Sequence, residues 1–402
     1  MADLLDFDIA LARILAAATP LNADRRMLDA AAGHCLAEPV SARLTQPPFD
    51  ASAMDGYAVS AAAAVPGAVL PIVGRSEAGS GFAGTLGPGM AIRILTGAPV
   101  PKGADAVVMQ EDVRIEGDGI VLSSAPEPGQ HIRKAGNDFA VGAPLLDKGA
   151  RLTPAALSLA AAAGHDSLPV VRRPRIALVA TGDELVRPGT APGPDQIVAS
   201  NGAGLAALFA PFAERIDDYG IVGDNESDLR ACLSSVLRSE ADVVFTTGGA
   251  SVGDKDLVKP VLADLGFPPD LWRLAIRPGK PLMFAKGAGK LVFGLPGNPV
   301  SALTTAQLLA VPALRALAGD AEPGPAFLTL PLAAPLDANG PRRHFRRARL
   351  IDSSTGLRVA ALDETDSAHL SSFASATALI VQPEHSPALP EGAPVRTLIL
   401  GA

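Results

Sequence analysis

The sequence predicts a multidomain α/β plus β protein: a central doubly wound α/β domain, a helical linker domain carrying an inserted small β-domain, and a C-terminal β-barrel or sandwich. Three features predict it. Residues 173–321 alternate short apolar runs with helical patterns, the texture of a mostly parallel sheet covered by helices. Residues 44–146 break into short β-rich runs between Gly and Pro turns, with helical spacing on both sides. Beyond Gly319-Asp320 the chain returns to short strands and turns. A length of 402 residues also exceeds one ordinary core. The expected divisions are 1–26 with 142–172 (helical), 27–141 (inserted β-rich), 173–321 (α/β) and 322–402 (barrel).

Taken in order, residues 4–18 place apolar side chains at helical spacing and stop at Thr19-Pro20. A second helical pattern, 27–36, precedes Pro39. Strands are expected at 68–74, 91–95, 106–110 and 119–122. Helix returns at 153–163, with Thr153 as N-cap and Pro154 at the first helical position. In the α/β domain, strands are expected at 176–180, 214–221, 243–246, 271–276 and 291–295. Helices are expected at 202–212, from Asp224 to Glu240, at 257–265, and from Asn298-Pro299 to about Leu317.

Composition removes whole classes of function. A net charge of −8 argues against a general nucleic-acid binder. The first residues carry acids where a signal peptide needs bases, and the Ala-rich runs break before a membrane-spanning length. Cys35 and Cys232 lie far apart and read as free thiols, so a soluble cytoplasmic protein is expected, with no nucleic-acid or membrane partner. The six histidines and two cysteines show no zinc-ligand spacing. Residues 79–84, GSGFAG, fit a dinucleotide fingerprint, but the following TLGPG cannot open a helix.

The chemistry lies on the loops that follow the α/β strands, where open sheets bind ligands. Residues 246–256, TTGGASVGDKD, put glycines, hydroxyls and acids just past a strand end. Gly248, Gly249 and Ser251 offer close backbone and hydroxyl contact to an anion. Thr181, Gly182, Asp183 and Glu184 form a second such loop, and Pro296, Gly297, Asn298, Pro299 and Ser301 a third that opens a helix. Arg277 and Lys280 add two cations on a Pro-Gly turn. Glu184 and Asp256 are the carboxylates best placed for Mg²⁺, which takes few protein carboxylates together with phosphate oxygens. Asp183 reads as a turn former, and Asp224 equally as a cap or a ligand. Residues 342–349, RRHFRRAR, read as a solvated strand with snorkelling arginines, or as arginines closing over an anion.

The strings SAMDGYA, RILTGAPVPKGADAVVMQED, ATGDEL, TTGGASVGDKD, RPGKP and GLPGNPVSAL occur in this order. Together they resemble the molybdopterin molybdenumtransferases, the family that includes the gephyrin E domain. The resemblance implies an elongated homodimer of four-domain chains whose α/β domain is of the molybdopterin-binding type. It implies that adenylylated molybdopterin is cleaved with Mg²⁺ to release AMP while molybdate enters the dithiolene. A molybdopterin adenylyltransferase and recipient molybdoenzymes are the implied protein partners. Carried to this chain, Asp55, Thr96, Asp138, Glu184, Asp224 and Asp256 would form the catalytic cleft, with Glu184 and Asp256 on the metal. Arg277, Lys280 and Ser301 would hold molybdate, with Arg347 and Ser367 closing the pocket from the last domain.

Overall fold

The computed structural model describes residues 4–248, 257–354, 356–364 and 366–401. Its centre is a six-stranded sheet in the order Arg215–Val222, Arg175–Thr181, Val243–Thr247, Lys290–Leu295, Met283–Gly287 and Pro269–Trp272. The first four strands run parallel, and the last two add antiparallel. The 271–276 expectation is therefore corrected. Strand Pro269–Trp272 ends early, and Ile276–Arg277 leaves the sheet to pair with Arg343–His344 of the C-terminal domain.

Apolar side chains cover both sheet faces, as buried strands require. On one face Phe209, Phe245 and Phe293 stack at centroid distances of 4.4 and 5.2 Å, and Phe284 lies 5.0 Å from Phe293. This cluster also takes in Phe7 and Ile14 of helix Phe7–Ala17 and Phe345 of the C-terminal domain. Asp6 caps that first helix by accepting from the Asp8 and Ile9 amides. Helices Glu226–Arg238 and Val258–Asp264 cover the opposite face. The run from Pro299 to Leu317 is apolar enough to cross a membrane, but 83% of it is buried inside the protein, so it is a core helix. Pro312 cannot donate to a carbonyl one turn back, and the preceding Ala306–Ala310 segment widens into a π-turn.

The 27–36 helix is not formed. Residues Ala23–Met27 instead pair antiparallel with Ser167–Val171, leaving only a single 3₁₀ turn at Leu28–Ala30. Beyond it, Gly33 and Leu36 donate to Leu152 and Ala150 carbonyls. Pairing with distant chain thus outweighs local spacing. Helix Pro154–Ala162 forms as expected, with Thr153 accepting from the Ala156 amide. Asn225, not Asp224, caps helix Glu226–Arg238, because its backbone is extended and its oxygen reaches the Ser227 and Asp228 amides.

The inserted domain is a six-stranded sheet running Ala106–Met109, Gly56–Val59, Ala91–Ile94, Val69–Ser76, Gly119–Leu122 and Val113–Glu116. In the C-terminal domain, Arg343–Ser353 pairs with Gly356–Ala361 and with Ala378–Gln382, which continues to Pro394–Ile399 and Phe327–Pro331. A parallel bridge from Leu332 to Val359 closes this sheet into a barrel around Leu336, Ala348 and Ile380.

The aromatic stack gives a direct stability test. Phe245→Ala should cost about 3–5 kcal/mol in urea denaturation. A loss under about 1 kcal/mol would mean that the stack does not carry the core.

Candidate functional site

The strands Arg175–Thr181, Val243–Thr247 and Lys290–Leu295 end side by side, bringing the starts of three of the predicted loops to one sheet edge. Close backbone approach there depends on Gly248, at φ +88, where an added Cβ would stand 2.3 Å from the Thr181 carbonyl oxygen. Gly182, at φ +145, likewise leaves room for the Glu184 carboxylate, which lies 2.3 Å from where its Cβ would be. Thr181 is buried and its hydroxyl donates to the Thr247 carbonyl.

Above this edge opens a cavity of about 600 Å³. Glu184, Gly248, Arg277, Lys280, Pro296, Gly297, Asn298, Ser301 and Ser367 all line it, as do Arg342 and Asp366. A second cavity of about 370 Å³ adjoins it, sharing Glu184, Gly248, Gly297 and Asn298 and adding Thr181, Pro299, Ser200 and Asn201. Two helix N-termini meet here. Helices Asn201–Phe209 and Pro299–Thr305 both start without a side-chain cap. The first amides of Asn201–Phe209 are left for a ligand, whereas Pro299 has no N–H and the Val300 amide is already engaged. Asn201 Nδ2 ties them together by donating to the Gly297 carbonyl at 2.7 Å. Asn298 occupies its expected cap position, but its Nδ2 donates instead to Ser367 Oγ at 2.9 Å. The Val300 amide donates to the Ser367 carbonyl, so the C-terminal domain is latched to the cavity rim.

The arginine-rich strand divides into distinct roles, and it is not a solvated one. Arg347 is 5% exposed and does not line the cavity. Its guanidinium donates to the Glu364, Asp366 and His369 carbonyls, holding the turn that carries Ser367. Arg342 reaches the cavity instead, steadied by one bond to the Ile276 carbonyl at 3.3 Å. Burial, reinforced by the nearby Arg277 cation, lowers its pKa. The pairing of Arg277 with His344 puts the imidazole in the same charged corner. Burial pushes His344 down to about 3, and the Arg277, Arg346, Arg342 and Arg347 cations push the same way, so the ring is neutral at pH 7.

Other predicted residues stand apart. Asp55 Oδ1 accepts from the Thr96 amide and hydroxyl, both at 2.7 Å, and these two bonds hold the carboxyl below its ordinary range. Asp138 is exposed on a neighbouring loop, its amide donating to the Gln46 carbonyl. All three belong to the inserted domain and none lines the cavity. The Asp224 amide donates to Asp183 Oδ1, which makes Asp183 a turn former. Gly249, Ser251, Asp254 and Asp256 lie outside the described residues. Among the described residues no three His, Cys, Asp or Glu side chains gather as a metal cage. Arg342, Asp366, Ser200 and Asn201 are cavity residues that spacing did not single out. A run of five arginines in eight residues signals charge but not which member faces inward.

The buried imidazole predicts a pH dependence. Between about 3 and 6.5 the unfolded chain binds the His344 proton and the folded chain does not, so stability rises with pH across that window. Lowering the pH from 6.5 should destabilise the protein, and His344→Gln should flatten that part of the profile. Identical slopes for both proteins in urea titrations would contradict a neutral buried ring.

Three family models match successive parts of the chain. They are the MoeA N-terminal region (domain I and II) at residues 5–164, the probable molybdopterin binding domain at 177–316, and the MoeA C-terminal region (domain IV) at 329–400. A molybdopterin molybdenumtransferase of Haemophilus influenzae is 38% identical, over 75% of this chain and 74% of its own. One of Synechococcus elongatus is 35% identical over 98% of both. The crystal structure of the molybdopterin biosynthesis MoeA protein from Pyrococcus horikoshii superposes with a TM-score of 0.84 at 28% identity, covering 99% of this chain and 100% of that one. With the same domains in the same order, the chain belongs to the molybdopterin molybdenumtransferase (MoeA) family.

Proposed function

We propose that the cavity binds adenylylated molybdopterin, releases AMP from it, and presents molybdate to the dithiolene from the corner formed by Arg277, Lys280, Arg342, Ser301 and Ser367. Membership of the family makes the chain a transferase of molybdenum-cofactor biosynthesis that inserts molybdenum. The observation that carries the finer reading is the convergence of three cationic side chains on one cavity beside two uncapped helix N-termini. A tetrahedral dianion needs such surroundings, because charge-assisted bonds offset the loss of its hydration. The helix ends suit the pyrophosphate, whose oxygens they meet with favourable dipoles and, on helix Asn201–Phe209, with N–H groups.

Glu184 lines both cavities, and its carboxylate suits Mg²⁺, an ion that needs only one or two protein carboxylates beside substrate oxygens. Glu184 and Asp256 would hold it, and the bound ion would neutralise charge on the phosphate oxygens. The chain's own part is to orient the pyrophosphate with Thr181, Gly248 and the helix ends, and to hold the oxyanion beside it.

The catalytic assignments of Asp55, Thr96 and Asp138 require a second copy. In a homodimer the partner's inserted domain would cover the cavity and bring these groups to it. Exposed Phe49 and Met54, in the segment that leads into Asp55, support a covered surface there. The free thiols of Cys35 and Cys232 support a reducing, cytoplasmic setting.

Incubation with adenylylated molybdopterin, Mg²⁺ and molybdate tests the reading. AMP release should depend on molybdate, and its absence would sink the proposal. Arg342→Ala should raise the molybdate concentration for half-maximal release by about tenfold or more, the scale of one lost charge-assisted bond. Glu184→Gln should instead lower the maximal rate while the melting temperature holds.

A further inference from the structure

A third chamber, of about 480 Å³, continues from the second beyond Thr247 and Gly202, which line both. The three cavities thus lie in a row with shared wall residues, from the cationic corner past the helix ends to this far chamber. Its walls differ from those of the corner. Leu178 and Ile216 of adjacent strands and Ala203 and Ala206 of helix Asn201–Phe209 give it an apolar wall. Two charged residues border it, Arg187 and Asp218. Asp218 Oδ1 accepts from the Gly220 amide at 2.8 Å, which fixes the carboxylate and leaves acceptor capacity unused. A Cβ on Gly220 would stand 3.2 Å from Arg187 Nη2, so the guanidinium rests on this bare turn next to Asp218. Among the described residues neither side chain has an ion-pair partner.

We infer that this chamber holds the pterin ring of the substrate, with the Asp218 carboxylate accepting from the 2-amino and N3–H groups of the 2-amino-4-oxopyrimidine edge. The inference rests on the substrate reading above, which supplies two flat rings, a pterin and an adenine. Hydrogen-bond chemistry separates them. An ionised carboxylate only accepts, and the pterin edge offers two adjacent donors. Adenine offers one donor beside the N1 acceptor, so a carboxylate there would face a lone pair. Arg187 supplies a planar cation that can stack on the ring or donate to its 4-oxo oxygen. The order along the row follows: pterin in the far chamber, phosphates at the helix ends, molybdate at the cationic corner.

The test uses the full-length chain and biopterin, a fluorescent 2-amino-4-oxopteridine without phosphate. Biopterin should bind and be quenched, and equimolar adenosine should not displace it. Asp218→Asn replaces one acceptor with a donor and should weaken binding by about tenfold or more. Its melting temperature should match the parent, since Asp218 is exposed. Displacement by equimolar adenosine, unchanged affinity in Asp218→Asn, or no bound biopterin at millimolar concentration would each overturn the inference. The two readings fail separately. Asp218-dependent biopterin binding without molybdate-dependent AMP release removes the reaction and leaves the pterin site. AMP release with Asp218-independent biopterin binding does the reverse.

Discussion

The parallel bridge from Ile276–Arg277 to Arg343–His344 is the contact on which the site depends. It is only two residues long, yet it joins a turn of the α/β domain to the long barrel strand Arg343–Ser353. Arg277 and Arg342 are thereby held on one cavity wall, and the turn that carries Ser367 is brought against the Asn298 loop. Phe345 enters the α/β core beside Phe7, at a centroid distance of 5.1 Å, so apolar packing resists the separation that like charges would favour. The cationic corner is a product of two domains, not of either alone.

Electrostatics explains why such a corner needs an anion. Arg342 is half-buried, close to Arg277, and among the described residues has no carboxylate partner. Burial without a counter-charge disfavours the cationic form, and His344 accommodates the same field by remaining neutral. A bound dianion would reverse the balance, turning mutual repulsion into shared attraction. Arg347 lies outside this exchange because backbone carbonyls occupy its guanidinium. One strand thus contains an arginine that holds structure and another that faces ligand.

Much of this was legible in the sequence. Apolar runs ending in Thr-Gly-Asp-Glu, Thr-Thr-Gly-Gly and Leu-Pro-Gly-Asn-Pro marked the strand ends, because buried strands and glycine turns have local signatures. Glu184, Gly248, Lys280, Asn298 and Ser301 were found that way and share one cavity. What was hidden depended on distant pairing. The 27–36 segment has helical spacing but bonds to residues near 150, and the 269–277 segment divides between two sheets. Choosing Arg342 over Arg347 needed the register of a barrel strand against a turn sixty-odd residues earlier, which no local pattern encodes. Asn201 was missed for a similar reason: its role is a single bond to Gly297, 96 positions away.

The central claim, that the two-domain cationic corner is the molybdate site, is open to direct observation. Crystals grown with molybdate and measured at the molybdenum absorption edge would show where the metal sits. The account predicts an anomalous peak within hydrogen-bonding reach of Arg277, Lys280 and Arg342. A peak elsewhere, with that corner empty at saturating molybdate, would contradict it.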